Sequence, residues 1–183
     1  YGMGNFLPSF LQRLHGMDIS TAGYTLGIAF GAGGGIGTFL GGYLADRFGL
    51  GDMRWYIRIP ILSVSLSLFT MSFVLFSENL NIIIAMIFIN SGLWCMYLGP
   101  AIAVAHSLVN ASMRAFVSAV LFLILNLIGL GLGPLTVGVL SDFLQPEFGN
   151  QSLRWAFCSI YLSSIGAAVF FILASGNYLG DLS

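Results

Sequence analysis

One short string, Gly42-Tyr-Leu-Ala-Asp46-Arg47-Phe-Gly49, concentrates the groups of this chain that could do chemistry. A carboxylate at a helix end accepts hydrogen bonds from exposed N–H groups at a neighbouring helix N-terminus. A guanidinium beside it bridges to a carboxylate or to C-terminal carbonyls across the same gap. Gly42 lets another helix approach closely, and Gly49 permits a tight turn. These residues predict a gating motif, a latch that holds two helical bundles together in one arrangement and releases them in another.

Polar and aromatic side chains at helical spacing predict a substrate cavity. The candidate cavity residues are Tyr24, Asn90, Trp94, Tyr97, Phe122 and Asn126. They lie on three helices, in stripes at intervals of three or four residues. In a membrane bundle such groups face protein or a water-filled cavity rather than lipid. A cavity of this kind suits an amphipathic ligand. The alternative is that the two asparagines only hydrogen-bond between helices while the rings fill packing gaps.

Two Gly-Pro pairs interrupt apolar runs and predict helix hinges. They are Gly99-Pro100 and Gly133-Pro134. Proline removes one backbone hydrogen bond and kinks a helix, and glycine lowers the cost of bending. A carrier that rocks between two states needs such bends, although static kinks are common in any membrane bundle.

The composition places these groups in a membrane. Of 183 residues, 57% are hydrophobic and only 7% are charged, and the mean hydropathy is +0.93. Soluble domains carry roughly 25% charged residues. The formal charge of −1, without any lysine, excludes a nucleic-acid binder because no basic stripe can neutralise phosphates. We therefore predict a multi-pass integral membrane protein, in contact with the lipid bilayer.

Motifs for enzymatic or metal chemistry are missing from the sequence. The two cysteines lie far apart inside apolar runs and form no C-x-x-C pair, so no cofactor or metal site is predicted. We find no H-E-x-x-H, no G-x-S-x-G and no buried acidic pair. The sequence therefore predicts that the protein is not an enzyme.

The apolar runs predict six helices, at about 1–14, 21–45, 55–76, 80–106, 114–141 and 154–175. Their polarity does not alternate as it would in barrel strands. The first helix reads as truncated, because the chain opens abruptly without an initiator methionine. Arginines favour cytoplasmic loops, and the loops that hold Arg47, Arg54, Arg58 and Arg114 share one side. The Asp46 loop and the C-terminus are therefore expected in the cytoplasm, at the inner membrane if the organism is bacterial.

An internal repeat appears when the glycines are aligned. The segment from Gly37 to Asp46 parallels the segment from Gly133 to Asp142, which lies 96 residues later, and both end in Gly-x-x-x-Asp. By loop count one of these helices runs inward and the other outward, the pattern of an inverted-topology repeat. The predicted fold is an all-α integral membrane bundle of two inverted three-helix repeats, one half of a twelve-helix carrier.

The 42–49 string resembles the G-x-L-a-D-R-x-G signature of the major facilitator superfamily. The likeness extends over most of residues 1–183 and narrows to spinster-like members, through Phe6-Leu-Pro-Ser-Phe-Leu, Arg54-Trp-Tyr, Met113-Arg-Ala and the Asn126–Pro134 run. It implies the C-terminal half of a carrier that works by alternating access, often proton-coupled. It also implies substrates such as lysolipids, with organic-anion permeases as the nearest rival.

These observations favour a secondary active transporter by a rocker-switch mechanism, whose substrate is an amphipathic lipid-like molecule or an organic anion. Its expected partners are an N-terminal six-helix half of the same carrier, the substrate and protons. No charged residue falls in the middle of a span, so a titrating group for proton coupling is expected in that other half. The alternative is an assembly or structural subunit without transport activity, which would use the glycine faces to bind partner helices.

Overall fold

The chain forms six helices in the computed structural model, which describes residues 1–162, 165–166, 169–170 and 172–173. Their bounds are α1 Gly2–His15, α2 Ile19–Gly49, α3 Trp55–Phe76, α4 Leu80–Ser107, α5 114–148 and, as far as it is described, α6 Ser152–Tyr161. The described residues contain no strand. Four continuous stretches among them, namely α2, α3, α4 and Ala111–Tyr161, are long and apolar enough to cross a membrane.

The turn between α1 and α2 follows from its local sequence. Gly16 ends α1 with a φ of 62°, a left-handed conformation that glycine adopts without a steric penalty. Asp18 then caps α2 by accepting from the backbone N–H groups of Ser20 and Thr21. The pKa of Asp18 lies below its ordinary value, mainly because the Ser20 hydroxyl donates a hydrogen bond to the carboxylate and to a smaller extent because these N–H groups do so.

Two helices continue past the ends predicted from the apolar runs. Helix α2 reaches Gly49 rather than residue 45, and α5 reaches Phe148 rather than residue 141. Asp46 and Asp142 therefore lie within helices and not in loops. The prediction stopped at the charged residues, but the backbone hydrogen bonds of a helix continue after the chain leaves the apolar layer. The predicted last helix, at 154–175, extends beyond the continuously described residues.

Each Gly-Pro pair lies beside an interruption of its helix. Helix α4 consists of Leu80–Cys95 and Leu98–Ser107, and the break falls at Met96 because Pro100 offers it no N–H and crowds its carbonyl. Helix α5 contains a π-helical segment, Leu125–Leu132, directly before Gly133 and Pro134. The interruptions lie next to the predicted hinge residues, and the role of these residues as hinges stays a prediction.

The two helices that are related by the sequence repeat, α2 and α5, also resemble each other in the structure. Helix α2 also contains a π-helical segment, Ala29–Gly33, which begins 96 residues before that of α5. Beyond each segment comes a close backbone crossing: α2 packs against Gly92 of α4, and α5 packs against Gly2 of α1. A Cβ on Gly37 would lie 2.6 Å from the Cα of Gly92, and a Cβ on Gly133 would lie 3.0 Å from the backbone nitrogen of Gly2. These paired crossings agree with the predicted relation between the two three-helix units.

The apolar core takes buried side chains from all six helices. Phe10 of α1 stacks on Phe157 of α6 with ring centroids 5.6 Å apart, and both side chains are fully buried. Val74 and Ile83 enter the core from α3 and α4, and Leu26 enters it from α2. The outer faces of α2 and α5 are largely exposed.

Candidate functional site

Asp46 makes a specific contact within its own bundle. The hydroxyl of Tyr56, at the start of α3, donates a hydrogen bond of 2.8 Å to Oδ1 of Asp46, near the end of α2. The carboxylate is exposed, so it has room for further donors. Tyr56 belongs to the Arg-Trp-Tyr segment of the sequence, but nothing in the spacing indicated that its hydroxyl reaches Asp46.

Gly49 is the last residue of α2 and lies in the turn that follows, in which the N–H of Gly51 donates to the carbonyl of Phe48. It also makes a contact that the sequence did not indicate. A Cβ on Gly49 would lie 2.5 Å from Cε2 of Tyr56. The absence of a side chain therefore lets the tyrosine ring lie against the end of α2, which is the position from which its hydroxyl reaches Asp46.

Two adjacent glycines of α2 lie beside α4. A Cβ on Gly41 would lie 2.8 Å from the Cα of Met96 and closer still to its carbonyl oxygen, and a Cβ on Gly99 of α4 would lie 3.7 Å from the Cα of Gly42. A Cβ on Gly42 itself would meet no atom within 4 Å. The Met96 carbonyl is the one that Pro100 cannot satisfy with an N–H. Gly41 thus brings the backbone of α2 against the break in α4, and the predicted Gly42 lies next to it.

The arginines near Asp46 differ in their partners. Arg58 forms an ion pair of 3.0 Å with Asp52 and lies over the ring of Trp55, which itself stacks on Phe48. It is the one ion pair within the described part of the chain. Arg47, the predicted latch cation, is exposed at the end of α2 and takes no part in it. The part of Arg47 in a latch stays a prediction.

Trp94 is the centre of an aromatic contact that the sequence analysis did not foresee. Its ring meets that of Tyr1 edge to face, with centroids 5.5 Å apart. The Tyr1 ring also lies on the π-helical segment of α5, where a Cβ on Gly129 would come within 2.5 Å of its Cδ2. Tyr1 and Trp94 are 44% and 39% exposed. The contact joins α1, α4 and α5, and no periodic pattern pointed to Tyr1.

Asn90 makes hydrogen bonds between helices, which favours the alternative interpretation of this residue over its assignment to the cavity. Its side-chain amide donates to the Ser67 carbonyl at 2.9 Å and to the Thr70 hydroxyl at 2.8 Å, both on α3. The Tyr161 hydroxyl of α6 donates to the same Ser67 carbonyl at 2.7 Å. Asn90 therefore links α4 to α3 and α6, as in the alternative reading of the asparagines. Residues on one helical stripe are spread over a whole face of the helix, so two of them can contact different neighbouring helices.

The other cavity candidates lie on open faces of the bundle. Tyr24 is 77% and Phe122 42% exposed, Tyr97 is half-buried, and Asn126 is exposed. The amide of Asn126 donates to the Phe122 carbonyl of its own helix at 2.7 Å, at the start of the π-helical segment. Side chains often satisfy backbone carbonyls where a helix ladder is irregular. Asn126 thus supports the irregular segment and stays open on its outer side.

The candidate cavity residues line neither of two cavities on this bundle. One is a groove of about 470 Å³ on α4, lined by residues between Asn81 and Ile89. The other, of about 210 Å³, lies beside Tyr56. The described residues also hold no group of three or more His, Cys, Asp or Glu side chains that could bind a metal.

Known proteins resemble the chain over its whole length, while no family model matches it. An MFS-type efflux pump of Mycolicibacterium smegmatis is 33% identical over 185 residues, which is 100% of this chain and 42% of that protein. A bacterial homologue of the human lysosomal transporter Spinster, in an inward-facing and unoccupied conformation, matches with a TM-score of 0.85 and 26% identity. Its inward-facing and occupied conformation matches with a TM-score of 0.69 and 25% identity. Each match covers 99% of this chain and 45% of the solved one.

The matches confirm the all-helical half-fold and the integral membrane character. The chain has the fold of a six-helix half of a major facilitator superfamily transporter, and its sequence is similar to that of such a transporter. Within that superfamily it is similar to the spinster-like transporters. The chain spans less than half the length of these relatives. The relatives are transporters, in agreement with the sequence-based prediction that the protein is not an enzyme.

Proposed function

We propose that this bundle is the C-terminal half of a secondary active carrier that moves an amphipathic substrate across the membrane by alternating access. The observation that carries the proposal is the open surface of Trp94, Tyr1 and Asn126, which is polar and aromatic within apolar helices. Such groups are costly against lipid and favourable against a substrate or a water-filled cavity. A homologous N-terminal half would supply the second wall of that cavity.

The exposed face of α2 offers a surface on which a second bundle could pack. A Cβ on Gly27, Gly31 or Gly35 would meet no atom within 4 Å, so three glycines one turn apart are open along the helix. Open glycines allow another helix to approach closely and to slide without interlocking side chains. The N-terminal half would pack on this face, and the bends at Gly99-Pro100 and Gly133-Pro134 would let α4 and α5 follow its rocking motion.

At the Asp46 end, the proposed latch closes the cytoplasmic face. The exposed Asp46 and Arg47 would accept and donate hydrogen bonds to helix ends of the N-terminal half in the outward-open state. The arginine distribution favours a cytoplasmic location of this end, and of the C-terminus, in the inner membrane of a bacterium.

The substrate class follows from the exposed surface and from the relatives. Aromatic rings beside one amide suit a molecule with a long apolar part and a polar end, such as a lysolipid, or an apolar organic anion. The efflux activity of the mycobacterial relative supports export. We propose coupling to protons, with the titrating group in the N-terminal half, because the middle of the described spans carries no charged residue.

Two matched variants on α4 test the assignment of the substrate surface. Trp94→Ala in the full-length protein is expected to raise the KM for transport about five- to tenfold, since an aromatic contact contributes about 1–1.5 kcal/mol. Asn90→Ala is expected to leave KM unchanged and to lower the stability of the bundle by about 0.5–2 kcal/mol, because it breaks the link to α3 and α6.

The measurement is uptake into inverted proteoliposomes under a pH gradient, with a lysolipid and an apolar organic anion as probes, together with thermal unfolding in detergent. An unchanged KM in Trp94→Ala, or a raised KM in Asn90→Ala, would contradict the assignment. Absence of transport of any probe by the wild-type protein would count against the carrier and favour the assembly subunit.

A further inference from the structure

We propose that Tyr56 is a positioning residue with two places for its ring, and that its place sets whether Asp46 is available as a latch. This inference rests on the proposed function, because the latch acts between the two halves of a carrier. In the place seen in the structure, the ring lies on Gly49 and its hydroxyl holds Asp46 at 2.8 Å.

The first place depends on three residues that the fold brings together at one end of the bundle. Asp46 and Gly49 are three residues apart on α2, so they share one face of that helix. Tyr56 enters from the next helix after a short connection. Gly49 provides the flat contact for the ring, and Asp46, about one turn earlier, receives its hydroxyl. The bond commits Oδ1 of the carboxylate to α3.

A second place for the ring lies next to the first. The cavity of about 210 Å³ between the start of α3 and the end of α4 is lined by Met53, Tyr56, Ala103 and Ser107. Tyr56 forms part of its wall and is only half-buried, so a rotation of its side chain moves the ring from Gly49 into this space. The small side chain of Ala103 leaves the space open.

The two places have opposite consequences for the carrier. With the ring on Gly49, Oδ1 of Asp46 accepts from its own bundle and only Oδ2 is open to donors of the other half, which weakens the latch at the cytoplasmic face. With the ring in the cavity, the carboxylate loses this donor and turns to the N–H groups of a helix end in the other half, which stabilises the outward-open state. Tyr56 thus competes with the other half for Asp46, without touching the substrate surface around Trp94.

Three variants of the full-length protein test this competition. Tyr56→Phe removes the hydroxyl and keeps the ring, Ala103→Leu fills the cavity, and Tyr43→Phe removes a hydroxyl that lies on α2 against Phe39. The reporter is a single cysteine, Asn126→Cys, with Cys95 and Cys158 replaced by serine. Its rate of reaction with a membrane-impermeant maleimide is measured from each side of proteoliposomes.

We expect Tyr56→Phe to raise the ratio of external to cytoplasmic labelling about two- to fivefold, the worth of one exposed hydrogen bond. Ala103→Leu lowers that ratio because the ring stays on Gly49, and Tyr43→Phe leaves it unchanged. In an Asp46→Ala background, Tyr56→Phe has no further effect, whereas a merely structural effect of the hydroxyl would persist there.

The outcomes separate this inference from the proposed function. Equal ratios for Tyr56→Phe and Tyr43→Phe, or a shift that persists without Asp46, would overturn the role of Tyr56 while the carrier stands. If Ala103→Leu does not fold, as judged by thermal unfolding, the comparison of Tyr56→Phe with Tyr43→Phe still tests whether the Tyr56 hydroxyl controls Asp46. Labelling of the wild-type reporter from one side only would instead overturn alternating access itself.

Discussion

Replacing Gly41 with alanine is expected to destabilise the bundle by more than about 2 kcal/mol, whereas the same change at the adjacent Gly42 is expected to be nearly neutral. At Gly41 the added methyl group would lie 2.8 Å from the Cα of Met96 and nearer still to its carbonyl oxygen, both backbone atoms that no rotamer change can move. Overpacking of this kind costs about 1–3 kcal/mol and occasionally more. At Gly42 the methyl group meets no atom within 4 Å.

The pair is informative because both variants make the same chemical change one residue apart on one helix. Thermal unfolding in detergent, with equal amounts of each protein extracted from membranes, measures the difference. The account predicts a clearly lower Tm for Gly41→Ala alone. Equal losses in the two variants, or a larger loss for Gly42→Ala, would mean that α2 packs on α4 in another register.

Asp46→Asn is expected to slow transport by the full-length protein at least about tenfold while leaving membrane insertion intact. The change removes the negative charge that strengthens hydrogen bonds to a helix N-terminus, and a tenfold change in rate corresponds to about 1.4 kcal/mol. Asparagine keeps the shape of the side chain and an oxygen that can accept from Tyr56. The loss should therefore fall on the contact between the halves, not on folding.

Asp52→Asn is the matched control for that prediction. It is the same substitution between α2 and α3, but Asp52 pairs with Arg58 across an exposed gap of 3.0 Å, and exposed ion pairs contribute little. Initial transport rates in proteoliposomes, normalised to protein content, compare the two. Wild-type rates for Asp46→Asn would contradict the latch, and so would equal losses for both variants.

The sequence predicted the features that depend on composition and on backbone chemistry. Low charge and unbroken apolar runs predicted the helices, while the two Gly-Pro pairs indicated only the neighbourhood of the interruptions, which begin at Met96 in α4 and at Leu125 in α5. The 96-residue repeat of the sequence has a counterpart in the structure, because α2 and α5 each pack a glycine against a glycine of another helix. These features depend on neighbouring residues or on a repeat along the chain, so they can be recognised in the sequence alone.

Features that depend on how a helix is rotated about its axis could not be read in that way. Asn90 and Trp94 fall on one predicted stripe, yet Asn90 bonds to Ser67 and Thr70 while Trp94 meets Tyr1. A small rotation decides between these neighbours, and the π-helical segments change that rotation partway along α2 and α5. No residue type reports such a segment by itself.

Contacts between helix ends could not be predicted from the sequence either. The hydrogen bond from Tyr56 to Asp46 joins the end of α2 to the start of α3 across an irregular connection. It depends on Gly49, whose missing side chain makes room for the tyrosine ring. The signature string indicated a turn at Gly49, and this residue lies in the turn between residues 48 and 51. Its contact with the ring of a tyrosine seven residues later is seen only in the three-dimensional arrangement.

The most direct test of the account is two-sided labelling of the Asn126→Cys reporter in the full-length, reconstituted protein. Alternating access predicts that an impermeant maleimide reaches this position from either side of the membrane. It also predicts that conditions which raise labelling from one side lower it from the other. Labelling from one side only, or simultaneous gains on both sides, would contradict the carrier mechanism and favour a bundle that serves as a fixed partner for other helices.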